Sequence, residues 1–326
     1  MRPLNILLVV LLAAVLAAAV LMGETPLTSE QIALAFSDPA SPPGEVLWTI
    51  RAPRAAIAAV VGAALGLAGA AMQGLLRNPL ADPGVLGVSA SAGLGAALAI
   101  AAGLAALPGA IEGAALLGAL LAGVVVVGLT ARFREPETLI LFGVSLSAFA
   151  GALTALVFNL SPSPVATTEV LSWLLGSAAN RDWTDVARTL LPMALGAALC
   201  GYAGRGLVML TLGEETAAMS GLPMARLRTA AVAGAALLTG AAVAAAGVIG
   251  FVGLAAPHLV RRGVGDDPQG ALLPSAIAGA LLLAAADLLS RMMPTEQELK
   301  LGVVTALFGA PLFALVAWRA SRSWRT

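Results

Sequence analysis

The sequence predicts an all-α polytopic membrane protein, one compact bundle of ten transmembrane helices forming a single domain over residues 1–326. Three observations predict it. First, 59% of the residues are hydrophobic and only 11% are charged, with a mean hydropathy of +0.94. An ordinary soluble domain carries about 25% charged residues on its solvated surface. Second, apolar runs of the roughly 20 residues that cross a hydrocarbon core recur along the whole chain. Third, the charges sort by side once those runs are taken as spans. The formal net charge of zero argues against a basic nucleic-acid binder. One cysteine, Cys200, excludes a disulfide framework, and one histidine, His258, excludes a multi-histidine metal site.

The first span is expected over 4–22, with Asn5 its one strongly polar residue. That run exceeds the roughly 7–15 residues of a signal-peptide core, so it reads as a retained helix. A polar stretch over 23–54 follows, with Glu24, Glu30, Asp38 and Glu45. Spans are then expected at about 55–76, 85–106, 110–130, 138–160, 188–206, 229–248, 250–264, 271–290 and 302–319. The eighth is short and interrupted by Gly253 and Pro257, a break tolerated only inside a bundle where neighbours satisfy the freed backbone groups. Gly62/Gly66 and Gly109/Gly113 have the GxxxG spacing that lets helix backbones approach closely in lipid, and Gly69 and Gly74 extend the first pair.

Ten spans put both termini on one side. That side holds Arg2, Arg77, Arg132, Arg134, Arg205, Arg226, Arg228, Arg261, Arg262, Arg319, Arg322 and Arg325 against Asp82, Glu135, Glu137, Glu214, Glu215, Asp266 and Asp267, a net of +5. The other holds Arg51, Arg54, Arg181, Arg188, Arg291 and Lys300 against eleven acids, a net of −5. The positive-inside rule counts Lys and Arg, twelve against six, and makes both termini cytoplasmic. Trp48, Trp173 and Trp183 then fall at external span ends and Trp318 and Trp324 at the cytoplasmic end of the last span, where indole rings are favoured.

The chemistry the sequence lacks is informative. There is no phosphate-binding G-x-x-x-x-G-K-[ST] loop, and the only lysine, Lys300, lies in Glu-Leu-Lys-Leu. No span carries a relay of Asp, Glu and His, which leaves little for an ion-coupled transporter working alone, the alternative reading. Asp287 is the one carboxylate inside a span, with Arg291 four residues on. His258 reads as a buried histidine beside a proline break, with no metal or haem ligation assigned to it.

Four stretches carry a resemblance. The first runs from Arg51-Ala-Pro-Arg54 through Met72-Gln73-Gly74 to Arg77-Asn78-Pro79-Leu80-Ala81-Asp82-Pro83-Gly84. The second is Leu212-Gly213-Glu214-Glu215-Thr216-Ala217 with Gly221-Leu222-Pro223. The third is Gly247-Val248-Ile249-Gly250-Phe251-Val252-Gly253-Leu254 with Pro257-His258-Leu259-Val260-Arg261. The fourth runs from Leu273-Pro274 through Asp287 and Arg291 to Gly309-Ala310-Pro311. Together they resemble the permease subunits of the FecCD-type ABC importers of iron–siderophores, haem and vitamin B12.

The resemblance implies a type II importer permease in the inner membrane. Two copies would form a homodimer on two ATP-binding subunits, fed by an external substrate-binding protein. The chain itself would bind no cofactor and hydrolyse no ATP. Iron–siderophore stands first among the implied cargoes, then haem and cobalamin. The resemblance further implies that Arg51, Arg54 and Arg291 receive carboxylates of the binding protein, for which guanidinium is suited by permanent charge and bidentate geometry. It implies that the segment at about 209–228, with Glu214, Glu215, Ala218, Gly221, Arg226 and Arg228, couples to the ATPase. It also implies that the fifth span lines the path, offering Ser145, Ser147, Ala148, Gly151 and Asn159. At Glu135-Pro136-Glu137-Thr138 the sequence departs from the small hydroxyl or basic residues of similar chains, so no gate is carried over to it. The Asn78–Gly84 stretch reads as a tight structural turn.

Overall fold

A computed structural model describes residues 3–132, 136–161, 163–293 and 298–323. Arg2, Arg134, Glu135, Glu296, Trp324 and Arg325 of the charge and tryptophan assignments lie outside them. The described residues are helical, in the order α1 (Pro3–Leu21), α2 (Ser29–Ser37), α3 (Pro42–Glu45), α4 (Ala52–Leu76), α5 (Val88–Ala101), α6 (Ala110–Arg132) and α7 (Pro136–Leu160). Then come α8 (Pro164–Leu174), α9 (Trp183–Leu210), α10 (Glu214–Met219), α11 (Met224–Ala246), α12 (Val252–Val264), α13 (Pro268–Met292) and α14 (Leu301–Ser323). The end of the bundle where α1 finishes is termed distal, and the end where it begins proximal.

Seven helical stretches are long and apolar enough to cross a membrane: α1, the stretch Pro42–Leu76, α6, α7, α9, α11 and α13. Two of the other three expected spans correspond to shorter helices, α5 and α12, while the tenth falls on α14, Leu301–Ser323. Val88–Ala101 is 14 residues long, begun after Gly87 and ended before Gly103, both with positive φ. The interrupted eighth span is realised as the 13-residue α12. Residues 247–251 before it are non-helical, with φ of 74° at Gly247 and 67° at Phe251.

Two boundaries differ from expectation. The stretch at 23–54, read as polar connection, is largely helical. Thr28 and Gln31 close a capping box on α2. Ser41 caps α3, whose first residues are Pro42 and Pro43, with a ring-fixed φ suited to a first turn. From there a π-helical stretch, Val46–Arg51, runs into α4, so this span begins well before residue 55. Likewise α9 starts at Trp183, because Asp182 and Asp185 form a reciprocal cap.

Helices α4, α11 and α13 form the centre, with 72%, 83% and 56% of their apolar windows buried, and α7 is the most exposed of the seven at 11%. Small residues set the spacing of the central pair. A Cβ at Gly62 would collide with the backbone of Gly279 on α13, and one at Gly69 with the Gly253 carbonyl at the start of α12. The Gly62/Gly66 pair is therefore a packing seam. By contrast Gly113 faces open space and Gly109 is a turn residue with φ of 79°. At the proximal end, Asn78 Oδ1 accepts from Leu80 N at 2.9 Å and Asp82 Oδ1 from Gly84 N at 2.7 Å, which sets the turn before α5. Burial pushes the Asp82 carboxyl above the usual range, against the lowering effect of the Gly84 N–H.

Candidate functional site

Three groups of residues were expected to carry function, and the structure brings the members of each together. At the distal end, Arg51 closes the π-helical stretch, Arg54 lies in the first turn of α4, and Arg291 lies in the last turn of α13. Their guanidiniums turn inward. Arg51 is 5% exposed and donates to the carbonyls of Val20, Leu21 (2.8 Å) and Thr25. The last carbonyls of a helix have no partner within it, so Arg51 closes the C-terminal end of α1. Arg291, also 5% exposed, donates to Ala19 O at 3.0 Å. Its Nε stands 3.2 Å from Asp287 Oδ2 as an ion pair.

Asp287 is fully buried and accepts from Arg54 Nε at 2.9 Å, so one carboxylate lies between two guanidiniums. The far side of Arg54 is bidentate to Glu298, just before α14. The side chains of Arg54 and Glu298 are 11% and 25% exposed. Nothing in sequence spacing joins positions 54, 287 and 298; only the i,i+4 pair of Asp287 and Arg291 was legible.

At the proximal end, α10 projects between α9 and α11. Gly213, with φ of 98°, turns the chain into it, and Gly221, with φ of 83°, turns it out. Ala217 is buried, while Glu215, Ala218, Gly221 and Arg226 are exposed. Glu214 pairs inward with Arg228 at 2.7 Å, which braces the turn against α11. No role was assigned from sequence to two apolar residues here, Met219 at 89% and Leu212 at 70% exposure. Their local sequence does not distinguish them from core positions.

Along α7, Ser145, Ala148, Gly151, Ala152, Ala155 and Asn159 are exposed and fall at helical spacing, while Ser147 is half-buried. Ser145 Oγ donates to Leu141 O at 2.8 Å and Asn159 Nδ2 to Ala155 O at 3.0 Å. These side chains are folded back on their own helix, and a Cβ at Gly151 would meet nothing. The face is small-featured and only weakly polar.

Comparison with known proteins bears on the family and the fold. The model of the FecCD transport family matches residues 8–319. The uncharacterized ABC transporter permease protein YvrB of Bacillus subtilis is 41% identical over 288 residues, which cover 86% of this chain and 81% of that one. The vitamin B12 import system permease protein BtuC of Escherichia coli O157:H7 is 39% identical over 287 residues, 86% of each chain. A solved structure assigned to the metal-chelate type of ABC transporter, in an inward-facing conformation, superposes with a TM-score of 0.84. It shares 28% identity and covers 97% of this chain and 98% of its own. With a family model over nearly the whole chain and relatives near 40% identity, the chain belongs to the FecCD transport family and is an ABC transporter permease.

Proposed function

We propose that this permease imports a metal chelate across the inner membrane, driven by ATP hydrolysis in partner subunits. A homodimer would stand on two ATP-binding subunits, with α10 toward them. An external binding protein would deliver the chelate to the distal face. Iron–siderophore is the first cargo to test, then haem and cobalamin. Family membership carries the reading, together with the exposed turn from Gly213 to Arg226, whose apolar knob and flanking charges suit insertion into a groove of another protein.

In this reading the small-featured face of α7, left open in the single chain, faces its counterpart across a path wide enough for a bulky cargo. The distal arginines enter differently from their sequence assignment. Arg51 and Arg291 hold α1 and α13 together, and Arg54 is the one a partner carboxylate can reach, by taking the place of Glu298. Orientation follows from the twelve-to-six distribution of basic residues, with termini and α10 cytoplasmic.

The deciding experiment is reconstitution in proteoliposomes with the candidate ATPase and binding protein. Chelate uptake that requires ATP is the expected result; uptake driven by an ion gradient without the ATPase would overturn the mechanism.

A further inference from the structure

Helices α6 and α9 both pack along α11 and scarcely touch each other. Toward the proximal side this packing is tight. Gly240 lies against Ala119 of α6, and Gly196 of α9 lies against Gly234 and Leu238, with no room for a side chain at either glycine. Distal to these contacts the two helices part over α11 and leave a cleft of about 340 Å³. That volume lies within the roughly 300–1,000 Å³ of small-molecule sites. Its floor is apolar, made by Ala241, Ala244 and Ala245 of α11, with Leu116 and Pro192 on the walls. Gly113 also lines it, and a Cβ there would meet nothing.

The mouth of the cleft carries charge of both signs. Glu112 is half-buried and accepts from Arg181 Nη1 at 2.6 Å through one carboxylate oxygen, which leaves the other without a protein donor. Asp185 and Arg188 stand 3.8 Å apart, at the loose limit of ion pairing, and Arg188 is exposed. Such a pair is worth about 0–1 kcal/mol, so the Arg188 guanidinium can turn to another anion at little cost. It lies across the mouth from α9 toward α6, where a Cβ at Gly109 would stand 3.6 Å from its Nη1. Pro192 adds an acceptor: it has no N–H, so the Arg188 carbonyl four residues back loses its helix donor.

The four charged groups of the lining sum to zero, over a floor of alanines. They also lie at the depth of lipid heads. Trp183, the first residue of α9, marks the headgroup level, and Arg188 follows five residues on, about 7 Å along the axis. Beyond the cleft α6 and α9 expose apolar side chains, among them Leu120, Leu121, Leu191 and Leu195.

We propose that this cleft binds the head of a zwitterionic phospholipid with a primary ammonium, phosphatidylethanolamine, from the leaflet on the distal side. Arg188 receives the phosphate. Glu112 and the Arg188 carbonyl accept from the ammonium, whose three N–H donors a choline head lacks. The cleft has room for a headgroup and not for a whole lipid, so the chains leave between α6 and α9 and run over their exposed apolar residues. A purely anionic head would set its charge against Glu112 and Asp185 with nothing to offer them. The site concerns neither cargo nor energy source and stands apart from the importer reading.

The test uses the full-length permease in a maltoside detergent. Native mass spectrometry reads the lipid retained from an equimolar mixture of phosphatidylethanolamine, phosphatidylcholine and phosphatidylglycerol with identical chains. One phosphatidylethanolamine per chain is expected, retained at least about fivefold over the other two, as for one added charged hydrogen bond. Glu112→Gln should bring its retention down to that of phosphatidylcholine; the ratio is a readout that a merely loosened fold would not move. Arg188→Gln, at an exposed side chain, should weaken retention of both lipids alike by about tenfold. Gly113→Leu fills the cleft and should abolish retention with the thermal midpoint unchanged.

Equal retention of the ethanolamine and choline lipids, a preference for phosphatidylglycerol, or retention unmoved by Arg188→Gln and Gly113→Leu overturns the site. So does a dimer that Gly113→Leu converts to monomer in the same spectra, which would assign the cleft to a second copy of the chain.

Discussion

Asp287 sits at the most heavily charged point inside the bundle. Two guanidiniums flank a carboxylate whose side chain is 1% exposed, an arrangement whose worth is best measured by removing one member. Breaking a buried ion pair strands the remaining charge and costs about 3–5 kcal/mol. Asp287→Asn should therefore lower the thermal unfolding midpoint in detergent well below that of Glu298→Gln, whose side chain is 25% exposed. Equal shifts would show that the network is no stronger at its centre than at its rim. Arg51→Met tests a separate role. It removes charge-assisted hydrogen bonds worth up to about 1.5–3 kcal/mol each, and the end of α1 should then fray. Faster proteolytic cleavage between residues 22 and 28, with the rest of the chain resistant, is the expected result.

Among the elements, the α4–α13 seam and the α10 turn separate structure from function. Gly279 meets the Gly62 carbonyl with no room for a side chain, so Gly279→Val should destabilise the bundle by about 1–3 kcal/mol or more through overpacking. Gly113 shares the GxxxG spacing with Gly109 yet faces open space. Gly113→Ala should stabilise α6 by about 0.5–1 kcal/mol, and paired thermal melts of the two variants check both signs. Sequence spacing treated these pairs alike, because the motif records small residues and not what stands opposite them. The turn at α10 makes the complementary case. Met219→Asp should leave the melt unchanged, since the side chain is 89% exposed, but should lower ATP-driven uptake at least tenfold if the knob seats in the ATPase. Crosslinking from Ala218→Cys to the ATPase subunit would show the same contact directly.

For the whole molecule, topology is the property most easily checked. Cys200 is fully buried, so Cys200→Ala gives a background for single reporter cysteines. Glu30→Cys should react with an impermeant maleimide added outside spheroplasts, and Ala218→Cys only after permeabilisation. The reverse pattern would invert the assigned orientation. The helical class, the approximate positions of the spans and the exposed turn between Gly213 and Gly221 were all legible in the sequence. They depend on local quantities: apolar run length, turn residues, and the count of Arg and Lys in each connection. Span lengths were less legible. The chain around 247–251 leaves the helix inside an apolar run, where Gly247 and Phe251 take positive φ and the neighbouring helices accept the break.

The sequence by itself determined that this chain is a membrane bundle, because lipid imposes a length, a composition and a charge asymmetry that are written residue by residue; the FecCD resemblance rests separately on four motif stretches. Only the tertiary structure decided which charges are free. Arg51, Arg54 and Arg291 looked like three external cations waiting for a partner. Folding brings α1, Asp287 and Glu298 to them and uses their charge internally, since a guanidinium withdrawn from water must find acceptors.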